Sequence, residues 1–205
     1  FGTVLLEPGV GFYDLYDYIQ ANNLPYWLST PGNSWGSVIG NALDRGVGYT
    51  PYGENTKNLC GLEVVLPTGE ITWTGANVLK NATGYNLTQL MIGSEGTLGV
   101  ITKIVFKLIP YPPQNIVMLV PFRDEEQACE AVSKLFVAGI IPSALEFMER
   151  DAIKWSARYL GIPVDLPEDI EAHLLIELDG HDMDQLFKDA EQVYNVLEHF
   201  NIGEI

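Results

Sequence analysis

The stretch "MIGSEGTLGV", residues 91–100, sets three glycines at three-residue spacing, Gly93, Gly96 and Gly99, around one carboxylate, Glu95. Without a Cβ, glycine admits positive φ and lets backbone N–H groups close on a ligand's phosphate, ribose or ring edge. A second stretch, "STPGNSWGSVIGNALDRGVGYTPYG", residues 29–53, mixes such donors with Asn33, Ser34, Ser37, Asn41, Asp44, Arg45, Tyr49 and Tyr52. That mixture suits the polar edge of a heteroaromatic ring, which needs donors and acceptors at fixed positions beside an apolar face. Each stretch alone also reads as a structural turn or an Ω-like surface loop. Two of them in one small domain favour a ligand.

Neither stretch is a standard phosphate motif. There is no Gly-Lys-Ser/Thr, and the strand-to-helix order of a GxGxxG dinucleotide fingerprint is missing. The three histidines, His173, His181 and His199, have no ligand-like spacing and read as structural or solvated. Cys60 and Cys129 are far apart and read as two reduced, partly buried thiols, so neither a zinc site nor a disulfide framework is supported. No metal is expected. Arg45 serves either to offset negative charge on a ligand or to pair with Asp44 or Glu54. The acidic runs "PEDIE" and "DGHDMD" read as solvated faces and helix caps.

The elements that must hold these stretches are legible in the pattern. "TVLL", residues 3–6, is a short buried strand before the turn "EPGVG", and "FYDLYDYIQANN" places Phe12, Leu15, Tyr16 and Ile19 at helical spacing. "SVIGNALDRG" forms a short helix opened by Ser37 and closed by Gly46. "GLEVVLPTGEITWTG" is a hairpin, with strands 62–66 and 70–74 joined by a Pro-Thr-Gly turn. "YNLTQLMIG" is a brief helix ending at Gly93, and "LGVITKIVFKLI" is a strand or bent ribbon stopped by "PYPP".

Pro110, Pro112 and Pro113 mark a domain boundary. Beyond them strands and helices alternate: "NIVMLVPF", "DEEQACEAVSKLFVAG", "SALEFM", "ERDAIKWSARYLG", "AHLLIELDG" and "DMDQLFKDAEQVYNVLEHF", with N-caps at Asp124 and Asp182. The pattern predicts helices covering one face of a sheet in a ferredoxin-like arrangement, and an α+β fold class for the whole.

A chain of 205 residues, 47% hydrophobic and 19% charged, has enough apolar sequence for a sizeable core. Its net charge of −16, from 27 acidic and 11 basic residues, opposes nucleic acid and anionic membrane surfaces. No apolar run reaches the roughly 18 residues of a spanning helix. With no export signal in view, the expected location is cytoplasmic, and the sequons at Asn81 and Asn86 read as chance. The chain begins without Met, inside an apolar strand, which suggests a piece of something longer.

"LLEPGVGFYDLYDYIQANNLPYWLSTPGNSWGSVIGNALDRGVGYTPYG" resembles the FAD-binding domain of the vanillyl-alcohol oxidase and p-cresol methylhydroxylase family. "GLEVVLPTGEITWTG", "KNATGYNLTQLMIGSEGTLGVITK" and "LIPYPP" are similar to the glycolate oxidase D-subunit and D-lactate or D-2-hydroxyglutarate dehydrogenase branch of the same superfamily. The resemblance covers residues 1–112 and continues more loosely through "ALEFMERDAI" and "LLIELDG".

It implies residues 1–112 as the C-terminal part of a PCMH-type FAD-binding domain and 113–205 as the N-terminal part of an α/β substrate, or cap, domain. It further implies that Pro31, Gly32, Asn33, Ser34, Gly36, Ser37, Val38, Gly40 and Asn41 approach the flavin ring and ribityl chain, with Asp44 and Tyr49 beside it. Glu95, Gly96, Gly99, Val100 and Ile101 would present backbone to the adenosine half, Gly96 and Gly99 being there because a cofactor passes where Cβ atoms would clash.

The implied reaction is oxidation of a CH–OH group by hydride transfer to flavin N5. The substrate class is a small 2-hydroxy acid, with a 4-hydroxybenzylic alcohol as the alternative. A non-catalytic flavin- or partner-binding fragment is a further alternative, because the family's upstream pyrophosphate loop and downstream histidine-rich metal motif are not in this sequence. Gly32 stands where vanillyl-alcohol oxidase carries a catalytic Asp, so no catalytic residue is assigned. The electron acceptor is unnamed, and a homo-oligomer is left open.

Overall fold

A computed structural model describes residues 2–29, 35–44, 51–52, 55–80, 82 and 84–204. The chain divides into two units, Phe1–Tyr111 and Pro112–Ile205.

In the first unit β1 (Thr3–Leu6), β5 (Val100–Lys107), β3 (Leu59–Val65) and β4 (Ile71–Gly75) form one antiparallel sheet in the order β1-β5-β3-β4. Period-2 alternation sends Leu62, Val64, Ile104 and Phe106 to one face, where they meet Phe12, Leu15 and Ile19 of α1 (Phe12–Ala21) and Val38, Ile39 and Ala42 of α2 (Val38–Leu43). The hairpin begins three residues earlier than its sequence pattern suggests. Its turn is closed by Gly69 N–H donating to Leu66 O at 2.8 Å and Leu66 N–H donating to Glu70 O at 2.9 Å.

The ribbon after Gly99 does bend. Two register irregularities interrupt its pairing with β3, and beyond Leu108 the residues Ile109–Pro110 (β6) pair instead with Tyr26–Trp27 (β2). On β3 the carboxylate of Glu63 accepts from Lys103 and Thr102. The lysine, first, holds its carboxyl below the usual range, so these groups are spent on each other.

In the second unit β7 (Gln114–Phe122) and β8 (Ala144–Glu149) flank β9 (Ala172–Gly180), which is antiparallel to both. α4 (Glu125–Val137) makes the crossover from β7 to β8, giving a split β-α-β. With α6 (Met183–Leu197) it covers the face bearing Val120, Phe122, Leu174 and Ile176. Asp124 and Asp182 cap these helices, each Oδ1 accepting from two backbone N–H groups.

Ile202 bridges Phe122 on the outer edge of β7, where a ferredoxin-like fold has its fourth strand. One departure from that plan is α5 (Arg150–Leu160), set between β8 and β9 in place of a direct hairpin. The Arg150 guanidinium supports the loop that follows it, donating to the carbonyls of Pro167, Ile170 and Leu166. Both cysteines are free. Cys129 is exposed on α4 rather than partly buried, because the α4 residues that face the core are Ala128, Ala131 and Leu135.

His173, on β9, is 6% exposed, and its Nδ1 has no partner among the described residues. Burial, reinforced by the nearby Arg150 cation, pushes its pKa down. The folded state therefore holds it neutral while the unfolded chain protonates it below about 6.5, so stability is intact above that pH and falls as pH drops through it. Urea midpoints at pH 7.5 and 5.5 should fall further for the parent chain than for His173→Gln. Equal losses would remove this role from His173.

Candidate functional site

Three short segments converge beside the helical face of the first sheet. Ser37 opens α2: its Oγ accepts from Gly40 N–H at 3.2 Å and donates to Pro8 O at 2.8 Å. Val38 N–H donates to Val10 O and Phe12 N–H to Gly36 O, so the start of α2 is sewn to the β1–α1 turn. At the other end of α2, Leu43 O accepts from Gly93 N–H at 2.8 Å. That bond brings the two glycine-rich stretches together, two residues from Asn41 on one side and two from Glu95 on the other.

A short 3-10 helix, Asn55–Asn58, supplies the third wall. The Asn55 side chain is buried, and its Nδ2 donates both to Ser29 O at 3.1 Å and to Asn41 Oδ1 at 3.3 Å. Gln89 of α3 (Leu87–Met91) donates to Thr56 O, and Thr88 Oγ1 lies 2.9 Å from Thr74 Oγ1 of β4. The Asn86 side-chain Oδ1 caps α3 by accepting from Gln89 N–H. The buried ones among these, Asn55, Thr74 and Thr88, are paired as buried groups must be.

The turn after Gly93 is built on left-handed backbone. Gly93, Glu95 and Gly96 have φ of 76°, 50° and 78°, and the turn is held by Thr97 N–H and Oγ1 donating to Ser94 O. Among the described residues the amides of Glu95 and Gly96 find no acceptor, and a Cβ built on Gly96 would meet nothing within 4 Å. Adjacent exposed amides in such a turn are able to receive an anion.

Gly99 has a different reason from Gly96. A Cβ there would lie 2.7 Å from Val64 Cγ1 and 2.8 Å from Val65 O, so it is glycine because β3 passes against it, whatever else the turn approaches.

The remaining expected site residues divide by what they have left to offer. Val38 is fully buried with its amide spent, and Ile101 packs against the core, so both side chains belong to the core. Val100 is 63% exposed and Asp44 is exposed. Gly36, Gly40 and Asn41 are half-buried, and Asn41 Nδ2 has no acceptor among the described residues. Pro31, Gly32, Asn33, Ser34 and Tyr49 lie outside the described residues, as do Arg45 and Glu54.

Asn55 was not singled out by sequence, since a lone Asn beside a loop gives no signal of burial. Burial also pushes the Cys60 thiol up against the countering Lys107 cation, leaving a protonated thiol ill suited to act as a nucleophile. No cluster of three or more metal-binding side chains occurs among the described residues, and none of their helices is long and apolar enough to cross a membrane.

Two family models match the sequence: "FAD binding domain" over residues 2–75 and "FAD linked oxidases, C-terminal domain" over residues 111–205. The D-lactate dehydrogenase of Anaerostipes hadrus is 36% identical over 202 residues, covering 95% of this chain and 42% of the relative. The flavoprotein subunit of 4-cresol dehydrogenase [hydroxylating] from Pseudomonas putida is 41% identical over 139 residues, covering 64% of this chain and 27% of the relative. The crystal structure of p-cresol methylhydroxylase with substrate bound superposes with a TM-score of 0.71 at 29% identity, covering 98% of this chain and 44% of that one. The chain thus spans less than half the length of these relatives.

Proposed function

The chain belongs to the FAD-linked oxidases, and from that premise we propose that it bears part of the flavin cradle of an oxidoreductase that oxidises the CH–OH group of a small 2-hydroxy acid, glycolate or D-lactate in type. The observation that carries the cradle is the Gly93–Leu43 bond, which joins two glycine-rich stretches fifty residues apart in sequence and leaves the Glu95 and Gly96 amides without acceptors.

FAD is the cofactor of this family and, when bound, supplies the acceptor for the two electrons and proton removed as hydride. The protein's contribution is to hold and orient. Amides at Glu95 and Gly96 face a phosphate or ribose oxygen, Asn41 offers an N–H donor, and the tied start of α2 fixes Gly36 and Ser37. In this reading residues 1–112 are the C-terminal part of the flavin domain and 113–205 the beginning of the cap domain.

The hydroxy-acid class is supported by the similarity to a D-lactate dehydrogenase over 95% of the chain. A 4-hydroxybenzylic alcohol is the second reading, favoured by the higher identity to the 4-cresol enzyme over a shorter span. The test is reconstitution with FAD followed by dye reduction with glycolate, D-lactate or vanillyl alcohol. Turnover of the first two supports the proposal, and turnover of vanillyl alcohol alone supports the second reading. A yellow protein that reduces no dye marks a flavin binder, and a colourless one rejects the cradle.

A further inference from the structure

Asn55 sits under the cradle without belonging to either glycine-rich stretch, and its side chain, on a residue 2% exposed, makes the two bonds that matter there. Ser29 O can only accept. The Asn55 atom facing it must therefore be Nδ2, and the second hydrogen of that NH2 group points at Asn41. An N–H facing Asn41 requires the Asn41 oxygen on that side, which turns Asn41 Nδ2 away from Asn55, where it has no acceptor among the described residues.

We propose that Asn55 is a positioning residue of the flavin cradle: it locks Asn41 in the amide orientation that shows a donor, not an acceptor, to the bound ring or ribityl chain. This rests on the flavin reading above. The orientation is set before any ligand arrives, because a fixed backbone carbonyl dictates it through two hydrogen bonds. Flavin is then received by a preset donor instead of an amide free to rotate. Asn55 acts only through Asn41 and Ser29.

Two measurements on the 205-residue chain test this. In the flavin-free protein, both Asn55 Nδ2 protons should exchange slowly with solvent, and Asn41→Ala should release one of them. If both exchange at the rate of an exposed amide in the parent chain, the lock does not exist, and this arm decides without any flavin. In titrations with FAD followed by quenching of flavin fluorescence below each variant's melting range, Asn55→Ala should weaken binding about fivefold to tenfold. Asn41→Ala should weaken it at least as much, and the double variant no more than Asn41→Ala alone.

A merely structural Asn55 would lower the melting temperature and add its own loss of affinity in the double variant, and that additivity overturns the proposal. If the parent chain itself binds no FAD, the flavin reading fails, while the exchange arm still decides whether Asn55 orients Asn41.

Discussion

Gly75→Ala should cost the first unit about 3–5 kcal/mol, the sum of placing a Cβ at a left-handed φ and overpacking a closed contact. Gly75 ends β4 with φ of 70°, and a Cβ built on it would overlap the Cys60 carbonyl oxygen and lie 2.7 Å from Thr88 Oγ1 and 3.1 Å from Gly61 Cα. None of these is the far end of a flexible side chain, so relief requires moving β3 away from β4 at the place where the Thr74–Thr88 contact ties α3 to the sheet. Domains of this size are stable by roughly 5–15 kcal/mol, so the variant should be marginal. Urea unfolding followed by far-ultraviolet circular dichroism reads the effect, and a loss below about 1 kcal/mol would show that the strands separate more easily than the contact implies.

Gly93→Pro should weaken flavin binding strongly while leaving most of the sheet intact. Proline has no N–H to give Leu43 O, and its ring holds φ near −65° where the chain needs 76°. The loss falls on the hydrogen bond from Gly93 N–H to Leu43 O, which joins the glycine-rich turn to α2, so the turn should loosen from the helix. We expect FAD affinity to fall about 100-fold, equivalent to about 2.7 kcal/mol, with the strand signal in far-ultraviolet dichroism retained. Gly93→Ala, which keeps the N–H but strains φ, should fall between the parent and the proline variant. Wild-type affinity in Gly93→Pro would mean that the turn and α2 serve different purposes.

How much of this was legible depended on whether the determinant was local. The hairpin over "GLEVVLPTGEITWTG" and the caps at Ser37, Asp124 and Asp182 are written in a few consecutive residues, and the structure places each of them. The order β1-β5-β3-β4 was not legible, because it depends on pairing Thr3–Leu6 with residues a hundred positions later. Nor was the pairing of Tyr26–Trp27 with Ile109–Pro110, two residues on each side being too few to carry a period.

At the site, the glycines announced a tight turn but not its reasons. Gly96 takes a φ of 78°, and a Cβ on it would meet nothing, whereas Gly99 makes room for β3. Asn55 was invisible because its importance lies in what folds over it. The resemblance of motifs carried the cofactor, which residue chemistry alone had left beside a surface loop.

The claim on which all of this turns is that the α2 segment and the glycine-rich turn form one binding surface. Titration of isotopically labelled chain with FAD, followed by amide resonances in two-dimensional nuclear magnetic resonance, addresses it directly. The account predicts that Gly36, Gly40 and Asn41 shift together with Glu95 and Gly96, all fitting a single dissociation constant, while Leu174 and Ile176 of β9 stay still. Shifts in one stretch only, or in the two with unrelated midpoints, would contradict it.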